Sequence, residues 1–362
     1  MAAGKAVASR MSKLLVAGYF GCDNLGDDAI LLGFVDGAGR AGYEFTVLSG
    51  APEETYRLYG LTSIPRKDMA RFKEAMAKHD ALVFPGGSIF QDVTSVKSAL
   101  FYANLVREAK KLNKKVVMLA QGVGPLNTFL GKRAAKFAFE SADAIAVRDP
   151  ESIRSLNSLG VKAVPRATSD MAFLLPAIQG EEAGYQIGTM KSVGLIPRPH
   201  GKGQEVEKLF AELSRLLYEN GYMPTLIELD RSFDGPLIQS IEKAQGGKIP
   251  SLRRLGTPME LQKRLLRMDG VISMRLHGGI IATTVGVPSV MLSYDPKVAA
   301  FASEAGLPSA LPMNSLSASR VFEVFQTMMK QRDQSAERLI ARRETLRQQA
   351  MLNIEVLQNC VR

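Results

Sequence analysis

Short apolar runs alternate with amphipathic stretches of helix length along most of the chain. Uninterrupted apolar runs of four or five residues are typical of parallel strands that are covered on both faces. In the first half these runs are Leu14–Gly18, Phe45–Leu48, Ala81–Phe84, Val116–Ala120 and Ala144–Val147. Helical patterns lie between them at Ala70–Lys78, Lys97–Leu112 and Leu130–Ser141. The alternation predicts βαβ units and a doubly wound α/β domain.

A second series of the same kind begins after residue 190. Its predicted strands are Ser192–Ile196, Thr225–Leu229, Gly270–Met274 and Ser289–Leu292, and its predicted helices are Gln204–Asn220, Phe233–Ala244 and Pro258–Met268. The stretch Ala177–Met190 contains three glycines and no clear period, which favours an interdomain linker. We therefore predict an N-terminal Rossmann-like domain over residues 11–176, a linker over 177–190, a C-terminal Rossmann-like domain over 191–315 and C-terminal amphipathic helices over 316–362. Two such domains face each other across a cleft, and their ligands bind in loops after the strands.

The charge balance narrows the range of partners. The 46 lysines and arginines exceed the 36 aspartates and glutamates, so the formal net charge is +10, which favours an anionic small molecule, a nucleic acid or an acidic lipid surface. The chain has no tryptophan and no stripe of interleaved basic and aromatic residues, so no nucleic acid partner is expected. No apolar run reaches the roughly 18 residues of a membrane span.

The cysteines and the N-terminal residues indicate the cellular compartment in which the protein is expected. Only Cys22 and Cys360 occur, which suits a reducing environment and excludes a multi-cysteine zinc site. Met1–Arg10 lacks the apolar central region of a secretory signal, and Met11 is an alternative start. We expect a cytoplasmic protein.

Three glycine-bearing loops follow predicted strands. They are Gly18 to Asp28, Pro85-Gly86-Gly87-Ser88 and Gln121-Gly122-Val123-Gly124-Pro125. Glycines there let a ligand approach backbone N–H groups at a helix N-terminus. The spacing of the glycines at 18, 21 and 26 differs from the dinucleotide-binding fingerprint, which disfavours dinucleotide binding. For Asn24 and Asp27, helix capping and ligand contact are equally good interpretations.

Cationic side chains also follow the strands. Arg148 comes directly after Ala144–Val147, where its guanidinium could hold a carboxylate or phosphate, although a surface pair with Asp149 or Glu151 is the alternative. Lys297 follows a later strand and would supply a second compact charge.

The stretch from residue 270 to 279 carries both Arg275 and His277. If Ser273 to His277 is extended, these two side chains project to one side, and a helix starting near Gly278 would add free N–H groups beside them. An imidazole in such a place is suited to proton transfer near neutral pH. The alternative is a histidine that only satisfies a local backbone carbonyl.

With these motifs the sequence resembles the polysaccharide pyruvyl transferase family, particularly its CsaB type. The resemblance covers nearly the whole chain after Met11 and rests on Gly18-Tyr-Phe-Gly21, Asn24-Leu-Gly26-Asp27, Pro85-Gly86-Gly87-Ser88, Gln121-Gly-Val-Gly124-Pro125, Val147-Arg148-Asp149, Thr168-Ser-Asp170 and Ser273-Met-Arg275-Leu-His277-Gly278. It implies a two-domain GT-B-like fold and transfer of a pyruvyl group from phosphoenolpyruvate to a sugar as a ketal, with phosphate released. No cofactor and no metal are implied beyond the donor substrate.

The resemblance also implies roles for individual residues. Phosphoenolpyruvate would be bound by Arg148, Arg275, Lys297, Gly278 and Gly279, and the catalytic residues would be His277 and Arg275. The acceptor sugar would be bound by Asn24, Asp27, Gly86, Gly87 and Gln121. We hypothesise that His277 protonates the methylene carbon of the donor.

In the CsaB type the acceptor is a lipid-linked N-acetylmannosamine of a secondary cell wall polymer, which later anchors S-layer proteins. The basic charge, which looks diffuse in the sequence, therefore suggests the hypothesis of peripheral contact with the inner membrane leaflet. Two other functions remain open: a nucleotide-sugar glycosyltransferase or epimerase of the same shape, with Glu228 or Asp230 at the ribose, and a sensor that binds without turnover.

Overall fold

The computed structural model describes residues 11–361 apart from 94, 177, 179–189, 202 and 203, and these residues form two parallel sheets. The strands of the first are β1 (Lys13–Phe20), β2 (Glu44–Ser49), β3 (Ser63–Pro65), β4 (Ala81–Phe84), β5 (Gly87–Phe90), β6 (Lys115–Val123), β7 (Ala144–Val147) and β8 (Arg166–Ala167). Their order is β3-β2-β1-β4-β6-β7-β8, and β5 pairs with β6. The helices of this domain are α1 (Leu25–Gly39), α2 (Pro52–Tyr59), α3 (Met69–Lys78), α4 (Val96–Lys111), α5 (Phe129–Glu140) and α6 (Pro150–Ser158).

The second sheet repeats this plan. Its strands are β9 (Lys191–Ile196), β10 (Tyr222–Ile227), β11 (Ser251–Leu252), β12 (Gly270–Ser273), β13 (Ser289–Ser293) and β14 (Leu311–Pro312), in the order β11-β10-β9-β12-β13-β14. The helices that follow are α7 (Gln204–Glu219), α8 (Arg231–Ala244), α9 (Pro258–Leu265), α10 (Leu276–Thr284), α11 (Pro296–Glu304), α12 (Ala318–Lys330) and α13 (Arg332–Cys360). The predicted doubly wound α/β architecture is confirmed.

Burial on both faces explains why the sequence pattern is so clear. In β1, every residue from Leu14 to Gly18 is buried, because β2 and β4 flank the strand and helices cover both sides of the sheet. The strand order reverses between β1 and β4 and again between β9 and β12. Such switch points open crevices at the carboxyl ends of the strands.

The C-terminal helices tie the two domains together. Helix α13 packs against β6 and β7 of the first sheet as well as against α10 of the second domain. Its Leu346, Ile354 and Leu357 belong to one apolar core that also contains Leu14 of β1 and Val271 of β12. Most of the predicted linker, 177–190, lies outside the described residues. None of the helices in the described ranges is long and apolar enough to cross a membrane.

Candidate active site

The N-termini of α1 and α10 meet across the cleft between the domains. A Cβ atom built on Gly26, in the first turn of α1, would lie 2.6 Å from Nδ1 of His277, in the first turn of α10. The loops beside this contact share a backbone hydrogen bond, in which the N–H of Leu25 donates to the carbonyl of Leu229 (2.9 Å). The two switch points therefore form one crevice.

Arg148 is buried at the end of β7 and faces this crevice. Its Nη1 donates to Oδ2 of Asp170 (2.5 Å), and its Nη2 donates to Oγ of Ser88 (3.0 Å). The alternative of a surface pair with Asp149 or Glu151 is confirmed in part, because Nε lies 3.8 Å from Oδ2 of Asp149. This pair is buried, however, and the shorter contact of the guanidinium is with Asp170. Among the described residues Nε has no hydrogen-bond partner.

Asp170 links Arg148 to the imidazole. This carboxylate is buried at the start of a short 3-10 helix, Met171–Leu174, and its Oδ2 lies 3.6 Å from Nε2 of His277. Burial alone would raise the pKa of Asp170, but Arg148 and His277 together hold it well below its usual range. Asp170 therefore stays ionised and can orient both the guanidinium and the ring.

Lys297 reaches the same place from the second domain. It belongs to the first turn of α11, and its Nζ donates to the carbonyl of Gly124 and lies 3.4 Å from Oγ of Ser88. Burial, reinforced by the neighbouring Arg148, lowers the pKa of Lys297 from 10.5 to about 8. Two cations from opposite domains thus converge on Ser88, an arrangement suited to a small anion with two acidic groups.

The predicted grouping of Arg275 with His277 on one face of an extended segment is wrong. Strand β12 ends at Ser273, and helix α10 begins before His277. The Nε of Arg275 donates to Oδ1 of Asp234 (3.2 Å), Nη2 donates to the same oxygen, and Oδ2 of Asp230 lies 3.6 Å from Nη2. Two buried carboxylates thus hold Arg275, which pairs with neither Asp170 nor Ser88.

The expectation of free N–H groups at Gly278 and Gly279 is also wrong. Both N–H groups donate to the carbonyl of Arg275, at 3.0 and 3.4 Å. A Cβ on Gly278 would lie 2.5 Å from Oγ of Ser273, and one on Gly279 would lie 2.5 Å from Sδ of Met291. These glycines let α10 pack closely on β12 and β13. By helix geometry, the free N–H groups belong to the first two residues of α10.

Two of the predicted acceptor residues support the loops. The side-chain oxygen of Asn24 caps α1, and its Nδ2 donates to Oδ2 of Asp230 (3.3 Å). Gln121 is fully buried, and its Nε2 donates to the carbonyls of Phe84 and Leu119 (3.0 and 2.9 Å). The capping interpretation of Asn24 is confirmed.

The other predicted acceptor residues lie together beside the first turn of α1. Gly86 and Gly87 have φ angles of 152° and 88°, and a Cβ on Gly87 would lie 3.4 Å from Oδ1 of Asp27. Burial raises the pKa of Asp27 to about 6, and His277 is the strongest of the neighbours that oppose this rise. Asp27 thus approaches the imidazole from the opposite domain.

A pocket of about 310 Å³, partly open to solvent, adjoins the cluster that Ser88, Arg148, Asp170, His277 and Lys297 form. Its lining includes Arg148, Asp170, Lys297 and Glu304, whose pKa burial raises to about 7. A larger pocket of about 630 Å³ between α2 and the loops after β10 and β11 contains none of the predicted donor residues. Within the described ranges, no three His, Cys, Asp and Glu side chains are placed to hold a metal ion.

Ser88 and Asp170 are members of the cluster to which the sequence assigned no role. Both belong to motifs that carry the family resemblance, Pro85-Gly86-Gly87-Ser88 and Thr168-Ser-Asp170, and this membership was the available signal. Each reaches Arg148 only in the folded chain, however, across 60 and 22 residues respectively. Local spacing cannot show such pairings.

Comparisons with known proteins identify the family of this chain. The family described as polysaccharide pyruvyl transferase matches residues 24–296. Amylovoran biosynthesis protein AmsJ of Erwinia amylovora is 23% identical over an alignment of 374 residues, which covers 82% of this chain and 86% of AmsJ.

Solved structures show the same fold at low identity. HepE of Anabaena, in complex with UDP-glucose, has a TM-score of 0.65 at 12% identity, covering 96% of this chain and 98% of HepE. UDP-GlcNAc 2-epimerase of Neisseria meningitidis has a TM-score of 0.59 at 10% identity, covering 96% of this chain and 100% of the epimerase. The fold is therefore GT-B-like. Since the family match spans well over half of the sequence, the chain belongs to the polysaccharide pyruvyl transferase family.

Proposed function

We propose that the chain is a CsaB-like, phosphoenolpyruvate-dependent pyruvyltransferase that forms a ketal on a sugar. The proposed acceptor is a lipid-linked N-acetylmannosamine of a cell wall polymer precursor on the cytoplasmic side of the membrane, and the product would serve S-layer anchoring. The observation that carries this proposal is the convergence of Arg148, His277 and Lys297, from both domains, around Ser88 and Asp170. The donor is a substrate, and no cofactor enters the proposal.

The cationic side chains suit the donor, which carries a carboxylate and a phosphate on three carbons. Arg148 would contribute its guanidinium and Lys297 its ammonium, and both lie beside Ser88. In a buried site these charges bind an anion more strongly than they would in water. Arg275, which pairs with Asp234, is not part of this donor site.

In this proposal the imidazole is the proton donor. His277 would protonate the methylene carbon of phosphoenolpyruvate and leave an oxocarbenium-like centre at C2. One acceptor hydroxyl then forms a C–O bond to C2 and passes its proton to Asp27, which is ionised above pH about 6. Asp27 directly follows Gly26, which lies against the ring, and in this proposal it returns that proton to His277.

The second hydroxyl of the same sugar completes the ketal. Its oxygen bonds to C2 while the bond from C2 to the phosphate oxygen breaks, and inorganic phosphate leaves. Of the two hydroxyl protons, one is accounted for in the new methyl group and the other leaves with phosphate. Asp170 keeps His277 oriented throughout.

The nucleotide-sugar alternative would need a free acidic side chain for the ribose. The side chain of Glu228 accepts a hydrogen bond from the N–H of Arg254 (2.9 Å). Asp230 caps α8 and pairs with Arg275. Both carboxylates are therefore engaged within the protein, which supports phosphoenolpyruvate as the donor.

Product analysis tests the proposal. The chain is incubated with phosphoenolpyruvate and a lipid-linked N-acetylmannosamine, and both phosphate release and the product mass are measured. We expect phosphate and pyruvylated sugar in equal amounts. Sugar transfer from a nucleotide sugar without phosphoenolpyruvate would contradict the proposal, and binding of phosphoenolpyruvate without any turnover would indicate a sensor.

A further inference from the structure

Helices α4 and α5 expose apolar side chains on the outside of the first sheet. Phe129 and Leu130 are 71% and 54% exposed, and Leu100 and Phe137 are 42% and 37% exposed. A single exposed apolar residue is ordinary on a protein surface. Four of them on two neighbouring helices make a candidate interaction surface, which we call the α4–α5 surface.

The contacts between the helices place these side chains on a single face. The guanidinium of Arg107 in α4 lies 5.5 Å from the ring of Phe137 in α5. The two helices run in the same direction, because they follow β5 and β6, which pair in parallel. Leu100 and Leu130 each lie seven residues, or about two turns, before that contact, so they stand at the same level.

The α4–α5 surface also carries much of the positive charge of the chain. The two helices contain 28 residues, of which seven are basic and two are acidic, so they account for half of the net charge of +10. Lys97, Arg107, Lys132 and Arg133 are exposed among the apolar side chains. Lys110, Lys111 and Lys136 pair with Asp143, Glu108 and Glu140, respectively.

One end of this surface adjoins the active-site crevice. The carbonyl of Gly124 accepts a hydrogen bond from Lys297, and α5 begins only five residues later, at Phe129. Phe129 and Leu130, the most exposed apolar residues of the α4–α5 surface, therefore lie at its crevice end. A molecule bound to this surface would be close to the entrance of the cleft.

We propose that the α4–α5 surface docks on an anionic lipid bilayer. Phe129 and Leu130 would enter the boundary between headgroups and acyl chains, and the lysines and arginines would lie against lipid phosphates. Docking in this way turns the cleft entrance towards the membrane. The docking itself is independent of the reaction, whereas its purpose, delivery of a lipid-linked acceptor, rests on the proposed function.

The aromatic geometry favours a bilayer over a nucleic acid. Arg107 already stacks on Phe137, and Arg133 lies 5.6 Å from the ring of Phe129. Nucleobases need open aromatic faces for stacking. The exposed leucines offer no such face, but they suit an acyl environment.

Sedimentation with vesicles tests the proposal. The full chain is mixed with vesicles of phosphatidylcholine alone or with phosphatidylglycerol added, at low and high salt. We expect pelleting only with the anionic vesicles, and release at high salt. Loss of one basic residue at such a surface lowers binding about fivefold, so Lys132→Gln with Arg133→Gln should lower it more than tenfold.

Two further variants separate docking from general surface effects. Phe129→Ser with Leu130→Ser removes the apolar end and should also lower vesicle binding more than tenfold. The control, Arg215→Gln with Tyr218→Ser, removes an exposed charge and an exposed ring from α7 and should bind like the wild type. All variants should release phosphate normally with a soluble acceptor, so a failure of docking is distinguishable from a failure of the proposed function.

Three results would overturn the proposal. They are the absence of wild-type pelleting with anionic vesicles, equal pelleting of the wild type and the α4–α5 variants, and complete displacement from vesicles by an oligonucleotide at equimolar phosphate. The third result would assign the surface to nucleic acid instead.

Discussion

At the scale of single residues, two carboxylates near His277 have pKa values that are shifted in opposite directions. Burial raises the pKa of Asp27 to about 6, whereas Arg148 and His277 hold that of buried Asp170 well below its usual range. One neighbour therefore stays ionised and orients the ring, and the other can exchange a proton near neutral pH.

Replacement of the imidazole tests this arrangement. His277→Ala should lower turnover about 100-fold or more while binding of phosphoenolpyruvate is retained, because the proposed donor site holds its charges with Arg148 and Lys297. Turnover and donor affinity are measured separately, by phosphate release and by calorimetry. The control is His79→Ala, which removes an imidazole held by Ala75 and Thr46 in another part of the domain. Unchanged turnover in His277→Ala would remove the ring from the mechanism.

Because of Lys297, donor binding should weaken at alkaline pH. Since its pKa is lowered to about 8, the ammonium loses its charge above that pH, and kcat/KM for phosphoenolpyruvate should fall. The contribution of Lys297 to the free energy of unfolding changes in the opposite direction. It rises between pH about 8 and 10.5, because the unfolded chain binds the extra proton there.

A conservative variant separates this effect from other titrations. Lys297→Arg keeps its charge throughout the range, so the fall in kcat/KM above pH 8 should disappear even if the maximum rate is lower. The pH profiles of the two proteins are compared at several donor concentrations. An unchanged alkaline limb in Lys297→Arg would assign the titration to another group.

The contacts of Arg275 change what its removal should do. The sequence led to the hypothesis that Arg275→Ala raises the donor concentration needed for turnover. Because Arg275 pairs with buried Asp234, the variant should instead lower the free energy of unfolding by about 3 kcal/mol, measured by urea denaturation. Adding Asp234→Asn removes the unpaired charge and should recover part of this loss. An equally unstable double variant would show that the charge is not the cause.

The sequence indicates which residues belong to the cluster more clearly than it indicates which side chains pair with each other. Arg148, His277 and Lys297 each follow a strand, and parallel strands bring their carboxyl ends to one edge. Arg275 follows a strand too, yet it pairs with Asp234, 41 residues earlier in the chain. Nothing in local spacing distinguishes a cation that neutralises a buried carboxylate from one that is free to meet a ligand.

At the scale of elements, the same physical reason decides which helices and strands could be predicted. Strands such as β4 and β6 are buried on both faces and appear as apolar runs. Helix α2 was not predicted, because it has only eight residues and Thr55 is its only buried residue. Its proline in the first turn and the glycine after its end were the available signals.

Helix α13 connects the C-terminus to the active-site loops through one buried side chain. The Oδ1 of Asn353 accepts hydrogen bonds from the N–H of Ala120 (2.9 Å) and from Oγ1 of Thr168 (3.0 Å), and its Nδ2 donates to the carbonyl of Ser169 (3.1 Å). Ala120 has a φ of 44°, a strained value for a residue with a Cβ. Asn353 thus holds the segments that carry Gln121 and Asp170.

Removal of this amide should weaken both the fold and the site. Asn353→Leu leaves the N–H of Ala120 and the carbonyl of Ser169 without this partner, at about 1–3 kcal/mol each, so the free energy of unfolding should fall by about 2 kcal/mol or more. The hydroxyl of Thr168 keeps its hydrogen bond to the carbonyl of Val147. KM for phosphoenolpyruvate should rise in the folded fraction, because Asp170 positions Arg148. Asn359→Leu, an exposed position on the same helix, is the control and should change neither quantity. Equal stability of Asn353→Leu and the control would contradict this role.

At the scale of the whole molecule, catalysis depends on how closely the two domains approach. The cluster takes Ser88, Arg148 and Asp170 from one domain and His277 and Lys297 from the other, so neither domain holds a complete site. The closest approach is at Gly26, where a Cβ would lie 2.6 Å from the ring of His277. A methyl group at this position must displace either the imidazole or the first turn of α1.

Gly26→Ala therefore separates assembly of the site from folding. The gain in helix stability, about 0.5–1 kcal/mol, offsets part of the cost of displacing the ring, so the melting temperature should change little. A displacement of the ring by a few tenths of an ångström or more misaligns the proton donor, and turnover should fall at least tenfold. Gly39→Ala, in the same helix, places its Cβ no closer than 3.8 Å to any group it would meet, so it should gain similar stability with normal turnover. Wild-type turnover in Gly26→Ala would show that the chemistry tolerates a wider separation of the domains, and His277 would then have no need of its contact with α1.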